Sequence, residues 1–192
     1  YQNKTITAHC PNSGSMMGLL KFGNTAWFTK SRDPKRKLKY TLQMINVNGK
    51  LVGINTHLTN KIVLEALENK KIKSLLNFNN IKSEVKFSDN TRFDFLISNN
   101  KKKSFLEVKN VTLVRKDKIA EFPDAVTTRG SKHLRELINA KKKGYNSYIL
   151  YLVQREDCKY LKIAKDIDEE YKNTFDIALK NGVEILCYDC KL

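Results

Sequence analysis

The 192-residue chain has no apolar run approaching the ~18 residues of a membrane-spanning helix. Its opening residues carry neither a basic n-region nor an apolar h-region, so no membrane span and no secretion signal are expected, and the protein reads as cytoplasmic. Cysteine is scarce. Cys10, Cys158, Cys187 and Cys190 are too few for a disulfide scaffold at this length. Cys187 and Cys190 have metal-like spacing but no second pair, so buried, reduced thiols are expected rather than zinc. Internal repeats and low-complexity tracts are also missing. Acid is in short supply: Asp plus Glu is 20 against Lys plus Arg at 36, giving +16 and a pI near 9.7. A folded protein keeps that self-repulsion mainly when a polyanion is nearby, and nucleic acid is the first partner to test. An A/T-rich genome favours Lys over Arg unaided, but that bias does not explain the excess. The 41% hydrophobic content excludes disorder throughout and suffices for one core with a small satellite domain.

Residues 5–55 hold short extended runs at 5–8, 25–29, 38–47 and 51–54, broken by Asn-Ser-Gly, Phe-Gly-Asn, Asp33-Pro34 and Asn48-Gly49. Asn-Gly between extended runs is a strong hairpin signal, so a small β-rich domain is expected over residues 1–55. The chain begins on Tyr1 rather than Met, so a lost leader and an incomplete first segment are expected. Thr56 can cap a helix running to Glu68, with Leu58, Ile62, Leu64, Ala66 and Leu67 recurring at roughly helical spacing. Extended runs at 81–87, 91–98 and 104–113, joined by short polar turns, predict an antiparallel meander. A helix capped by Thr127 or Thr128 then runs to about Lys143 with Leu134, Leu137 and Ile138 on one stripe, and Gly144 ends it. Residues 148–153 are continuously apolar, as in a strand buried on both faces. A helix over 166–180 and a strand over 183–188 complete the order α-β-β-β-α-β-α-β. The expected class is α+β, with a mixed sheet and helices against it over residues 56–192.

Asp/Glu-x-Lys triplets recur by chance in so basic a chain, at Asp33, Glu68, Glu84, Asp157 and Asp189 among others, so context must choose among them. Glu107-Val108-Lys109 ends the third meander strand, where strand alternation puts Glu107 and Lys109 on one face and Val108 on the other. Asp94 lies inside the preceding strand between apolar residues. If the hairpin pairs these strands, Asp94 and Glu107 converge. With the carbonyl of Val108 they would form a hard oxygen site for Mg²⁺ or Mn²⁺, with Lys109 orienting a water and offsetting charge, the chemistry of a phosphodiesterase. The plainer alternative is that Asp94 and Glu107 pair across strands with Lys86, Arg92 or Lys109.

Five segments carry a resemblance. They are His9-Cys10-Pro11-Asn12-Ser13-Gly14-Ser15-Met16, Lys82-Ser83-Glu84-Val85-Lys86, Phe93-Asp94-Phe95, Glu107-Val108-Lys109-Asn110-Val111-Thr112-Leu113, and Phe122-Pro123-Asp124-Ala125-Val126-Thr127-Thr128-Arg129-Gly130-Ser131-Lys132-His133-Leu134. Through them the chain resembles the sugar fermentation stimulation protein family nearly end to end. The resemblance implies an N-terminal OB-like β-barrel, a C-terminal domain of the restriction-endonuclease-like PD-(D/E)xK nuclease fold, non-specific DNA binding, and a regulatory role in sugar (maltose) metabolism. Family members carry further N-terminal residues, so the barrel is expected to lack strands.

By the same resemblance Asp94, Glu107 and Lys109 take the acid, acid and lysine positions of the nuclease fold, with Phe93 where Pro is usual. Glu65 matches the extra helical carboxylate of some resolvase-like members, or else simply faces water. Glu84 is either an accessory ligand or half of a salt bridge with Lys86. Arg129, Lys132 and His133 fall in the first turns of a helix, where an exposed cationic side would bind phosphate, joined by Lys86 and Arg92. The alternative there is Asp124 as a helix N-terminal anion and His133 as a satisfied surface group. His9 and His57 read as structural. Three functions follow: a non-specific DNA-binding module, a Mg²⁺- or Mn²⁺-dependent endonuclease or exonuclease, and an RNA-binding module. The last would need aromatics such as Trp27 and Phe28 on the surface rather than in the core.

Overall fold

A computed structural model describes residues 4–192, so the expectation attached to Tyr1 lies outside the described residues. In the N-terminal unit, β3 (Tyr40–Val47) pairs antiparallel with β2 (Ala26–Lys30) on one side, while β4 (Lys50–Gly53) and β1 (Ala8–His9) take the other. Asn48 and Gly49 join β3 to β4 with φ of 52° and 81°, the two positive values a tight hairpin turn requires. Met16, Leu19, Ile45, Val52 and Ile54 form a small core beneath this four-stranded sheet, which does not close into a barrel. The strand β2 is mostly exposed, with only Phe28 half-buried, against Tyr40. Trp27 is therefore 39% exposed and Phe22, just ahead of it, fully so.

The two units are sewn together at β4. Gly53 N donates to the Gln154 carbonyl at 2.9 Å, and Val52 bridges Arg155. A Cβ on Gly53 would lie 2.4 Å from Gln154 Oε1, so any larger residue would force the Gln154 side chain to move. Gln154 Nε2 then donates to Asn110 Oδ1 at 2.6 Å and Thr59 Oγ1 at 3.0 Å.

The helix expected from Thr56 starts later. Asn55 caps a 3₁₀ turn over Thr56–Leu58 by accepting from His57 N, Thr56 donates instead to the Pro11 carbonyl, and α1 runs over Thr59–Glu68. The tighter turn rotates Leu58 off the apolar stripe, which is Thr59, Val63 and Leu67, and leaves Leu58 37% exposed.

The main sheet has the order β12-β10-β7-β6-β5. Here β5 (Asn80–Ser88), β6 (Thr91–Ser98) and β7 (Lys103–Val111) form the expected antiparallel meander. Then β10 (Asn146–Val153) and β12 (Glu184–Asp189) continue it in parallel. One face packs on α2 (Thr128–Lys142) and α3 (Glu169–Lys180) through Phe105, Leu134, Leu137, Ile149, Tyr151 and Tyr171. The other packs on α1 through Val63, Leu67, Phe95, Ile97, Leu106 and Leu150. Cover on both faces is why β10 reads as an unbroken apolar run.

Four details differ from the sequence reading. The run 104–113 breaks at Thr112, and Leu113 begins β8 (Leu113–Lys116), which with β9 (Ile119–Phe122) and β11 (Tyr160–Ile163) makes a second, three-stranded sheet. Strands of four residues are too short to show a period. The third helix begins at Glu169, because Asp168 caps it by accepting from Tyr171 N at 2.8 Å. Asp124 is not an anion for α2: its Oδ2 accepts from Ser15 Oγ and Met16 N, pinning the N-terminal loop, while Thr127 Oγ1 caps α2. The cysteines are free as expected, but Cys10 and Cys187 are exposed, the latter because β12 is an edge strand. No described helix is long and apolar enough to cross a membrane.

The placement of α1 can be tested within one helix. Leu67→Ala empties a buried position and should cost about 2–5 kcal/mol in urea unfolding, whereas Leu58→Ala should change stability by no more than about 0.5 kcal/mol.

Candidate functional site

Glu107, Val108 and Lys109 sit mid-strand in β7 with the expected alternation: Val108 packs toward α1, and Lys109 Nζ donates to Glu107 Oε1 at 2.7 Å on the opposite face. The last β6–β7 pair on this side is Phe95 with Leu106. Beyond it the strands part and the Asp94 carboxylate fills the gap. Its Oδ2 accepts from Val108 N at 2.7 Å and its Oδ1 from Asn60 Nδ2, on α1, at 2.8 Å.

A reversal of faces makes this gap. On β5, Ile81 packs on the α1 side but Val85 and Phe87 on the α2 side. On β6, Phe95 and Ile97 face α1 while Phe93 faces α2. Residues an even number apart in a regular strand share a face, so both strands turn over between these positions. The turnover falls at Glu84, whose φ is +54°, between the pairs Ser83 with Phe95 and Val85 with Phe93. A left-handed residue inside a strand rotates the chain as a bulge does.

Glu107 is 3% exposed. His133 Nδ1 also donates to its Oε1, and His133 Nε2 in turn accepts from Arg129 Nε at 3.4 Å. That network puts the imidazole proton on Nδ1. Burial alone pushes the Glu107 carboxyl up, yet the Lys109 charge and the His133 hydrogen bond outweigh it and hold the group below its ordinary range. Asp94 behaves oppositely. Burial first, then the neighbouring Glu107 charge, raise it to about 6. Glu107 Oε2 is buried without any partner.

An orphaned carboxylate oxygen beside a second, reluctantly ionised carboxylate is a donor set that a hard divalent cation fits. Mg²⁺ needs only one or two carboxylates and keeps its remaining positions for water and substrate oxygens. The described residues assemble no group of three or more His, Cys, Asp and Glu side chains for a metal, so Glu65 and Glu84 do not complete a larger cage. Both are exposed, Glu65 on the solvent side of α1. Lys86 pairs with Asp89 at 2.9 Å rather than with Glu84.

His133 is the main correction. Expected as an exposed cation or a surface group, it is 5% exposed and bonded to Glu107. Position 133 belongs to the buried stripe Gly130, His133, Leu134, Leu137, whose i, i+3, i+4, i+7 spacing was the available signal. Asn60 was missed because nothing in the sequence marks an Asn as facing a carboxylate. The other phosphate-binding candidates do come together. Lys86, Arg92, Arg129 and Lys132 line one cleft of about 500 Å³, with His133 in its wall, and Lys132 Nζ donates to the Asn90 carbonyl at 2.7 Å.

The raised Asp94 carboxyl ties stability to pH. Between about pH 4 and 6 the native state holds a proton at Asp94 that the unfolded state has lost, so this group's contribution to stability falls as pH rises through that window. Urea unfolding in EDTA at pH 4, 5, 6 and 7 should therefore show the stability of the parent protein relative to Asp94→Asn declining by up to about 3 kcal/mol, most of it before pH 6. A difference independent of pH would mean that Asp94 titrates normally.

Two family models match the chain in order, the SfsA N-terminal OB domain over residues 2–54 and the sugar fermentation stimulation protein RE domain over residues 57–192. The chain is 59% identical over 187 residues to the sugar fermentation stimulation protein homolog of Pelagibacter ubique (strain HTCC1062), covering 97% of this chain and 81% of the relative. It is 45% identical over 185 residues to the homolog of Dinoroseobacter shibae, covering 95% and 76% respectively. Among solved structures it resembles that of Pyrococcus furiosus SfsA in complex with Ca²⁺, with a TM-score of 0.89 at 26% identity over 98% of this chain and 80% of that one. With matching models from residue 2 to residue 192 and relatives this similar, the chain belongs to the sugar fermentation stimulation protein family.

Proposed function

We propose that this protein binds DNA without regard to sequence through the cleft of Lys86, Arg92, Arg129 and Lys132, and that Asp94, Glu107 and the Val108 carbonyl hold Mg²⁺ or Mn²⁺ beside it to cut a phosphodiester. The observation that carries the reading is the unpartnered, buried Glu107 Oε2 next to Asp94, one imidazole away from a cationic cleft. The five-stranded mixed sheet with helices on both faces is consistent with the PD-(D/E)xK nuclease fold. The Pyrococcus relative was solved with Ca²⁺, a hard cation that takes the same oxygen ligands as Mg²⁺.

A bound divalent cation would polarise the phosphate and lower the pKa of a coordinated water. The chain's own groups do the rest. Arg129 and the three other cations position the backbone by its phosphates, which carries no sequence information. His133 holds Glu107 in one orientation, leaving Oε2 free. Lys109, 12% exposed and held by Glu107, would offset charge developing on the phosphate and orient the attacking water. An influence on sugar (maltose) metabolism would then act through DNA.

One observation favours a reading without catalysis: Lys109 and His133 already balance one Glu107 oxygen, so the cluster is partly neutralised with no cation present. The exposed Trp27 and Phe22 favour single strands, RNA included, since each offers a face for base stacking.

Incubation of the protein with plasmid and with single-stranded DNA in Mg²⁺, Mn²⁺ or EDTA distinguishes these readings. Cutting should require metal and vanish in Asp94→Ala and Glu107→Ala, while Lys109→Ala should slow it by about 10²-fold or more and spare metal binding. Absence of cutting in every metal, with metal still raising the melting temperature of the parent protein but not of the acid variants, would leave the cation structural.

Binding itself has a separate signature. Duplex affinity should fall steeply with salt, by a log–log slope of about −0.9 for each phosphate neutralised. Arg129→Ala and Lys132→Ala should weaken all sequences alike; an affinity insensitive to salt would exclude phosphate-driven binding.

A further inference from the structure

The cleft beside Glu107 carries more positive charge than a passing backbone phosphate needs. Four cations line it, Lys86, Arg92, Arg129 and Lys132, against one acid, Asp89. A phosphodiester in the middle of a strand brings one negative charge, whereas a terminal phosphomonoester brings about −1.5 to −2. Lys132 also spans the cleft: it reaches from α2 to the Asn90 carbonyl in the β5–β6 turn, so a strand lying along the cleft meets that link. Thr91, which lines the same cleft, is only 4% exposed and its hydroxyl has no hydrogen-bond partner, so the site retains an unused buried polar group. The first turns of α2, a fifteen-residue helix, supply Arg129, Lys132 and His133 to the same cleft.

We infer that this cleft seats the terminal phosphate of a nucleic-acid strand, so that the site acts at strand ends. The inference rests on the nucleic-acid reading above. It narrows that reading to a substrate class: strands with a phosphorylated end. His133 separates the cleft from Glu107 by one imidazole, so a phosphate held there places the adjoining stretch of the same strand against the candidate metal site. The shared chemistry is a phosphomonoester, and it can come from a 5′ or a 3′ end.

The test is equilibrium binding of the full chain to one single-stranded sequence in four forms: 5′-phosphorylated, 3′-phosphorylated, hydroxyl at both ends, and covalently circular. Ca²⁺ replaces Mg²⁺ so that binding is read without turnover. One phosphorylated form should bind at least about tenfold tighter than the hydroxyl-ended and circular forms, and the identity of that form assigns the end. In Arg92→Ala and in Lys86→Ala this ratio should fall toward one. Thermal unfolding of each variant checks that it is folded. Equal affinity for all four forms would overturn the inference while leaving DNA binding intact, and so would a preference that survives both substitutions. Failure to bind any form at low salt would instead overturn the nucleic-acid reading on which it rests.

Discussion

A carboxylate at 3% exposure in the middle of a sheet is a cost that the surrounding structure must offset, because an isolated buried charge loses several kcal/mol of hydration. Glu107 is that carboxylate, and much of the site can be read as its compensation. Lys109 supplies a cation from two residues along the same strand, and His133 supplies an imidazole N–H from α2. Arg129 fixes which imidazole nitrogen bears the proton by occupying the other. The compensation is incomplete, since both donors meet Oε1 and none meets Oε2. A second acid placed nearby makes the imbalance worse: burial first and the Glu107 charge second raise Asp94 to about 6. Two neighbouring carboxylates with opposite displacements, one held ionised and one resisting it, make the cluster a functional-site candidate.

That second acid could not arrive by ordinary strand geometry. In a regular antiparallel pair, Asp94 would hydrogen-bond through its backbone and stand perpendicular to the sheet. The left-handed residue at Glu84 turns β5 over, β6 follows, and the Asp94 carboxylate takes the place of a backbone acceptor for Val108 N. Positive φ at a non-glycine residue is uncommon and costs of order 1–3 kcal/mol, so it persists where neighbouring contacts over-determine it. Here the contacts are Phe87, Phe93 and Phe105, packed with ring centroids 5.0 to 5.3 Å apart on the side to which the strands have turned.

These two features explain which parts of the molecule were legible in the sequence. Period-two alternation was enough to put Glu107 with Lys109 and to send Val108 the other way, and a continuous apolar run was enough to identify β10. The face reversal was not legible, because Glu84 carries no glycine-like mark; Asp94 was picked out by its apolar neighbours and not by how it reaches the site. His133 was misplaced because the first turns of α2 were read by charge, as a cationic surface, whereas the apolar stripe of that helix includes position 133. β8, β9 and β11 were missed for a different reason. Four residues alternate too little to stand out, and β8 follows β7 after one residue, so the corner at Thr112 looked like continuing strand.

The loop that leads into α2 joins the two units of the chain, and the first turns of α2 fix that helix within the larger unit. Thr127 N donates to Asp168 at the start of α3, Gly130 lets Tyr171 approach where a Cβ would lie 2.9 Å away, and His133 reaches Glu107 one turn later. Just ahead of that turn, Asp124 accepts from Ser15 and Met16 of the N-terminal unit. On the opposite side of the seam, Gln154 links Gly53 to Asn110, the residue after Lys109. The N-terminal unit is thus bonded to the loop that leads into α2 and, through Gln154, to the strand that carries Glu107. The contacts through Gln154 are anchored on a buried side chain, which lowers the entropy cost of ordering them, whereas the Asp124 bonds lie nearer the surface. The strand that carries Glu107 is therefore tied to the small β-rich unit through the buried Gln154, which holds Gly53 on one side and Asn110 on the other.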